Sequence, residues 1–430
     1  MPLKWGERGL KMNAVTELKV SRPLGQRVEP TDLRIALFSG NYNYHMDGPV
    51  RALNRLVGYL ERRGVPVMVF APTSPTPACA PTGTLVSIPS ISLPGRSEYR
   101  LGLGLPKAIK KAIADFRPTL MHISAPDISG YAALQLARSC NIPVVASFHT
   151  RFDTYLGYYG VTWLENAVTS YLRYLYNQCS HLYAPSESMA TVLRQQNMCR
   201  DIRIWGRGID CASFDPLKRD LEWRREHGIT DDEVVIAFVG RVVMEKGLQC
   251  FAQSIEALNA NGIAHRVMIV GEGPALEWFK QRLPKAVVAG FLRDHALSRA
   301  YASADIFFNP STTETFGNVT AEAMASGLPA VCADATGSRS LVIDGVTGYL
   351  VTSNTPDAYA NALARLIQDR DLRTAFGVAA RNRAKTMDWD QVLDGLFEHY
   401  TDAVSKATSL HVPKDLRFGR ASPAFQESMI

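Results

Sequence analysis

Two kinds of apolar run alternate along this chain. The first kind is short and nearly continuous: Leu33-Arg-Ile-Ala-Leu-Phe38, Val65-Pro-Val-Met-Val-Phe70, Thr119–Ile123, Val144–Ser147, His181–Ala184 and Ile202–Trp205. Runs of this length, bounded by turn residues, suit strands buried on both faces. The second kind recurs at a spacing of three and four. Val50, Leu53, Leu56, Val57 and Leu60 mark one face of a helix over 50–63, and further helices are expected over 105–116, over 128–140 and after Pro185-Ser-Glu-Ser188. Strand and helix in alternation build β-α-β units and a parallel sheet.

The alternation starts again after Trp205. Strands are expected at Val234–Val239, Val267–Val270, Val287–Leu292, Ala304–Phe308 and Ala330–Ala333, with late helices over 356–367 and 389–404. Between the two patterns lies Gly206-Arg-Gly-Ile-Asp210, two glycines around one arginine, which reads as a hinge. Pro72 to Pro94, rich in Pro, Thr and Ser, is expected to wind over the surface, and Gly337-Ser338 to form a tight turn. The expectation is an α/β protein of two Rossmann-like domains. Residues 1–31 form a disordered leader or an extended start with Met12 as the alternative first residue. Residues 32–205 and 213–388 are the domains, 206–212 the hinge, 389–407 a last helix and 408–430 a tail.

Composition narrows this picture only slightly. With 430 residues the chain accommodates two domains of ordinary size, and 46% hydrophobic with 20% charged residues describes a soluble globular protein. No run is apolar enough to span a bilayer. The seven cysteines are scattered with no C-x-x-C, as expected of reduced thiols rather than a disulfide framework or a zinc site. The expected location is therefore the cytoplasm, or the inner face of the cytoplasmic membrane. Charge is unevenly spread. Residues 1–205 hold 23 Lys+Arg against 13 Asp+Glu, and the rest 24 against 28, giving +10 and −4 within the formal +6. A basic first half suits an anionic membrane surface, a phospholipid-like acceptor, nucleic acid, or simply a solvated surface. A nucleic-acid binder rests on this charge alone and is not expected.

The chemistry concentrates at strand ends. Asn309 to Val331 reads as strand end, loop, helix, turn and strand, with Glu314 in the loop, Gly317 at the helix start and Glu322 on the helix. Free N–H groups at such a start favour an anion, and glycine lets a ligand approach the backbone. Two acids with seven residues between them can hold one ligand at two points; the alternative is two acids favoured by the helix dipole. Earlier, Gly240-Arg241 and Lys246-Gly247 surround the start of another helix, a forked and a point cation suited to a diphosphate. Asp47-Gly48 precedes the first helix, and His149 follows the strand at 144–147, where open α/β sheets bind ligands. Tyr155 to Trp163, with Gly157 and Gly160 inside it, reads as a loop facing a membrane interface or folded back over the core.

Taken together, Glu314-x7-Glu322 with Thr-Phe-Gly-Asn and Ala-Met-Ala-Ser-Gly-Leu-Pro around it, Gly-Arg-x4-Lys-Gly at 240–247, Ser-Phe-His-Thr at 147–150 and Arg-Gly-Ile-Asp at 207–210 resemble the retaining GT-B glycosyltransferases of group 1 (the glycogen-synthase-like group). The resemblance spans about residues 33–400. It implies a GT-B fold, two Rossmann-like domains with parallel sheets facing a central cleft, in which the final helix crosses back to the first domain. It implies a donor site for a nucleoside diphosphate sugar. Arg241 and Lys246 would sit on the diphosphate, Glu314 on the sugar hydroxyls, Glu322 on the ribose, and Gly271, Phe291, Leu292, Phe316, Gly317 and Asn318 around the nucleotide. Gly48 stands where the family carries a glycine pair, and Gly48-Pro49 departs from it. His149 would lie near C6 of the sugar. Asp127 or Asp153 can be argued as general base. No cofactor or metal is implied, since the Asp369-Arg-Asp371 and Asp388-Trp-Asp390 strings fall in late helical surface. Asp47-Gly48-x-x-Arg51, the run at 93–100 and the Tyr-rich segment resemble the lipid-directed branch that includes sulfoquinovosyldiacylglycerol synthases and phosphatidylinositol mannosyltransferases. The expected partners are a nucleotide sugar, a UDP-sugar ahead of GDP-mannose, and a lipid or glycan acceptor, with peripheral membrane contact. A sugar-nucleotide 2-epimerase of the same fold and a non-catalytic nucleotide-sugar binder are the alternatives.

Overall fold

The computed structural model describes residues 32–93, 96–149, 163 and 165–410. The leader to residue 31, the Tyr-rich segment from Thr150 to Thr162 with Asp153 inside it, and the tail beyond 410 lie outside the described residues. The first half runs β1 (Ile35–Phe38), α1 (Gly48–Arg62), β2 (Val67–Ala71), β3 (Thr84–Ser87), β4 (Ser90–Leu93), β5 (Arg96–Gly102), α2 (Lys107–Phe116), β6 (Leu120–Ile123), α3 (Ile128–Ser139), β7 (Val144–Ser147), α4 (Glu165–Tyr176), β8 (His181–Ala184), α5 (Glu187–Gln195) and β9 (Ile202–Ile204). The second runs α6 (Leu221–Glu226), β10 (Val235–Val239), α7 (Leu248–Ala260), β11 (Arg266–Val270), α8 (Leu276–Arg282), β12 (Val287–Gly290), α9 (Asp294–Ala302), β13 (Ile306–Asn309), α10 (Asn318–Ala325), β14 (Ala330–Ala333), α11 (Thr336–Leu341), β15 (Gly348–Val351), α12 (Pro356–Gln368), α13 (Arg370–Lys385) and α14 (Trp389–Leu410).

The apolar runs form two parallel sheets, ordered β3-β2-β1-β6-β7-β8-β9 and β12-β11-β10-β13-β14-β15. Strand order reverses between β1 and β6 and between β10 and β13. Loops leaving the carboxyl ends at a reversal diverge and open a crevice, the general ligand position in such sheets. Each sheet is covered on both faces by apolar clusters. That is why its inner strands read as unbroken apolar runs.

The last helix belongs to the first sheet's core. Leu393, Leu396, Phe397 and Tyr400 of α14 are buried among Leu53, Leu56 and Leu60 of α1. Burying a side chain of this size stabilises by about 1.5–3 kcal/mol. Tyr59 of α1 and Arg63 just past its end both reach the Asp394 carboxylate, and Arg62 lies 3.3 Å from Asp390. Among the described residues no helix is long and apolar enough to cross a membrane.

Several local expectations need correction. Pro72–Pro94 is not all irregular: β3 joins the sheet edge, and β4 pairs antiparallel with β5. These strands are short, polar and at an edge, so they carry no apolar run to read. Gly337 and Ser338 lie inside α11 rather than in a tight turn. A Cβ at Gly337 would lie 2.8 Å from Glu314 Cβ, so the small residue there serves close packing. Helix α13 went unread because only Phe376, Gly377, Ala380 and Ala384 of its sixteen residues are buried.

Candidate functional site

The loop after β10 and the loop after β13 leave the second sheet at its reversal and meet. In the first, Met244–Lys246 forms a single 3-10 turn rather than a helix start, and Gly247, at φ +75°, turns the chain into α7. A Cβ on Gly247 would lie 2.8 Å from the Pro310 carbonyl at the base of the other loop. This close approach brings Lys246 Nζ to 2.6 Å from Glu314 Oε1, with both side chains largely covered. Arg241 pairs with Glu245 at 3.7 Å on the same loop. The Glu314 backbone is itself pinned, its carbonyl accepting from Gly337 N at 2.9 Å and Thr336 Oγ1 at 2.8 Å.

Gly317 begins α10 in the left-handed region, φ +95°, which glycine adopts without steric cost. Glu322 follows one turn in and is 7% exposed. One of its oxygens accepts from Tyr301 Oη at 3.0 Å, and the other faces Arg51 Nη1 of α1 at 3.3 Å. Burial raises the Glu322 carboxyl above its ordinary range, while Arg51 and the Tyr301 hydrogen bond pull it back. An anion buried this deeply is tolerated because both oxygens have partners. Phe316 is buried beneath this helix start, and Asn318 meets Gly48 across the cleft: a Cβ on Gly48 would lie 2.5 Å from Asn318 Nδ2. The N-terminal ends of α1 and α10 therefore face one crevice between the halves, and α10 starts without a side-chain cap, which leaves its first N–H groups open to an anion.

The other residues expected around a nucleotide lie along the second sheet. Gly271, at φ +137°, packs so closely on the loop after β10 that a Cβ would lie 1.9 Å from the Gly240 carbonyl. Phe291 follows β12, half exposed, with the Arg293 guanidinium 4.8 Å from its ring centroid, and Leu292 packs against the core.

On the first half, Asp47 caps α1, accepting from Val50 N at 2.9 Å. Burial raises its carboxyl, and the Val50 hydrogen bond, His45, Asn41 and Arg241 lower it. Asp127 caps α3 in the same way, accepting from Gly130 N at 2.8 Å. His149, just past β7, uses both ring nitrogens inside the protein: Nε2 lies 2.8 Å from Ser147 Oγ and Nδ1 2.9 Å from Arg207 Nη2. Burial holds its pKa well below the usual histidine value, with Arg207 and His122 adding to the effect. Three contacts close this side against the second half, two at the β13 loop and one at the start of α11. Thr315 Oγ1 donates to the His149 carbonyl at 3.1 Å, Ser186 Oγ to the Thr315 carbonyl at 3.1 Å, and Ser188 Oγ to the Thr336 carbonyl.

The structure thus gathers Arg241, Lys246, Glu314, Gly317, Asn318, Glu322 and Gly48 around one crevice, with His149 at its first-half wall. Sequence reading missed Tyr301, Thr315 and the cross-cleft role of Arg51. No motif marks Tyr301, and although Arg51 and Thr315 lie within quoted motifs, only the crossing of two helix ends shows which residues they meet. Among the described residues, no three His, Cys, Asp or Glu gather as a metal site, and all seven cysteines are free thiols.

The chain is similar to known proteins. The family model for glycosyl transferases group 1 matches residues 220–383, and that for glycosyltransferase family 4 matches residues 46–213. The chain is 32% identical over 376 residues to the GDP-mannose-dependent alpha-mannosyltransferase of Mycolicibacterium smegmatis, covering 86% of this chain and 97% of that one. It is 30% identical over 390 residues to the sulfoquinovosyl transferase SQD2 of Arabidopsis thaliana, covering 87% and 74%. Its fold superposes on sucrose-phosphate synthase from Thermosynechococcus elongatus with a TM-score of 0.72 at 20% identity, over 87% of this chain and all of that one. The chain belongs to the group 1 glycosyltransferases, enzymes of GT-B fold that transfer a sugar from a nucleotide sugar.

Proposed function

We propose that this protein is a metal-independent, retaining hexosyltransferase that moves a sugar from a nucleoside diphosphate sugar to a hydroxyl of a membrane lipid. The observation that carries the donor half is the convergence on one crevice of Arg241 and Lys246 from the loop after β10, Glu314 from the loop after β13 and Glu322 from α10. In this reading Arg241 and Lys246 hold the diphosphate and stabilise the charge that develops on it as the glycosidic bond breaks, together with the N–H groups at the start of α10. Glu314 accepts hydrogen bonds from the sugar hydroxyls, and its contact with Lys246 keeps the two in register. Glu322 accepts from the ribose. The acceptor hydroxyl attacks from the face of the leaving group, and a donor phosphate oxygen takes its proton. Asp127 is occupied as a helix cap and is not assigned as a base.

For the donor, the relative matched over nearly its full length carries GDP-mannose in its name, which moves that donor ahead of UDP-sugars. A lipid acceptor is supported by the basic first half and by the exposed Ile128, Tyr131, Tyr171 and Tyr174 there. Residues 32–205 would bind the acceptor and 213–388 the donor, with 206–212 as hinge. The test is incubation with labelled GDP-mannose, UDP-glucose or UDP-sulfoquinovose and a membrane-lipid extract, with and without EDTA. Labelled lipid of retained anomeric configuration, unaffected by EDTA, is the expected product. Transfer to soluble sugars alone would overturn the lipid acceptor, an inverted product the retention, and loss of turnover in EDTA the metal independence.

A further inference from the structure

Arg207 sits in the hinge, 6% exposed, and no carboxylate among the described residues pairs with it. Its guanidinium donates to the carbonyls of Trp205 and Gly206 at 2.8 and 2.9 Å, lies over the Trp205 ring at 4.6 Å, and gives its remaining short contact to His149 Nδ1. A guanidinium has donors and no acceptor. Nδ1 must therefore accept, and the ring proton must reside on Nε2, where it points at Ser147 Oγ. The serine can then donate to His122 Nε2 at 3.0 Å, and His122 Nδ1–H to Tyr400 Oη of α14 at 2.7 Å. Five side chains from the hinge, β7 and its end, β6 and the last helix form one polar chain. The charged and titratable groups facing His149 are Arg207 and His122. At its other end His149 offers its backbone carbonyl to Thr315, the residue after Glu314. One residue thus joins the hinge to the loop that carries the sugar-side carboxylate.

We propose that Arg207 is a positioning residue acting through His149: it locks the imidazole as the neutral Nε2–H tautomer, so that His149 exchanges no proton with substrate and instead holds the Glu314 loop in register with the hinge. This inference rests on the donor site proposed above. Misplacing a reacting group by about 1 Å costs on the order of 10²-fold in rate, so loosening this joint is expected to reduce kcat while leaving nucleotide affinity nearly intact.

The test combines imidazole ¹⁵N spectra with steady-state kinetics on the full chain. The His149 signal, assigned by its loss in His149→Asn, is expected to report an unprotonated Nδ1 and a protonated Nε2 throughout pH 5.5–8. Arg207→Met is expected to release the tautomer and lower kcat about 10²-fold, with the donor nucleotide dissociation constant changed less than about threefold. Arg207→Lys, which keeps one donor, is expected to recover part of kcat. His149→Asn, which preserves an acceptor near the Nδ1 position, is expected to retain more activity than His149→Ala. An Nδ1-protonated tautomer, a pH limb of kcat that disappears in His149→Asn, or an Arg207→Met protein with lowered Tm but unchanged kcat would overturn the inference. Failure of the wild-type protein to bind any nucleoside diphosphate would sink the donor site itself, a result the spectra do not depend on.

Discussion

The two halves share one sheet plan and use their reversal loops differently. In the first half the acids of these loops are turned back on their own backbone: Asp47 caps α1 and Asp127 caps α3. In the second half the corresponding acids are not caps. Glu314 meets Lys246 from another loop, and Glu322 meets Tyr301 and Arg51 from other elements. A capping carboxylate is satisfied by its own helix and is a stability device. A carboxylate held by side chains from elsewhere is aimed, and those partners can be exchanged for a ligand. The two sheets are alike in plan, and it is this difference in their loop carboxylates that supports the proposal of a donor site on the second half.

The comparison can be broken first where the effect is largest. Glu314→Gln and Lys246→Met each remove one side of the aimed pair and are expected to reduce kcat by about 10²–10³-fold, the usual cost of one lost contact to developing charge. Radiolabelled sugar transfer measures this; near-wild-type turnover would return the pair to a structural salt bridge. Next, Tyr301→Phe leaves one oxygen of buried Glu322 without its donor. The expected cost is about 1–3 kcal/mol, with a further rise in the Glu322 carboxyl pKa, read by chemical denaturation at pH 5 and pH 8 and by donor KM.

A third prediction concerns acid. His122 is fully buried, and burial drives its pKa down to about 3 from 6.5. Below pH 6.5 the unfolded chain therefore binds a proton that the folded one does not, and stability falls as pH drops, by about 1.4 kcal/mol per pH unit from this group. Denaturant melts at pH 7, 6 and 5 are expected to show that slope, reduced by the same amount in His122→Phe; an unchanged slope would mean that His122 is protonated in the native state. The smallest effect is expected from Asp127→Asn. Asparagine caps helices about as well as aspartate, so stability is expected to change by less than about 0.5 kcal/mol and kcat by less than about threefold. A loss comparable to that of Glu314→Gln would instead mark Asp127 as the general base.

Much of this was legible in the chain itself. Val144–Ser147 and Ala330–Ala333 were read to the residue, because an inner parallel strand must be apolar toward both covering layers. Lys246, Glu314 and Glu322 could be singled out because a cation beside a glycine turn and a loop-to-helix junction are local constructions. The edge strands β3 to β5 and the thinly buried α13 could not, since a polar edge or a narrow apolar stripe resembles a surface loop in one dimension. His149 could be named but not understood. Its position past β7 was visible, whereas the two groups that fix its ring were not.

By itself, then, the sequence determined the alternation of strands and helices, the two sheets and the identity of the charged residues at their carboxyl ends. Burial on both faces and anion binding at helix starts are written within a few neighbouring residues. Only the tertiary structure decided what those residues do to one another. Arg51 meets Glu322 across 271 positions, His122 meets Tyr400 across 278, and Arg207 fixes His149 across 58. Such contacts depend on how the two halves and the returning helix pack, and no local pattern encodes a partner that only the closed fold brings within about 3.5 Å.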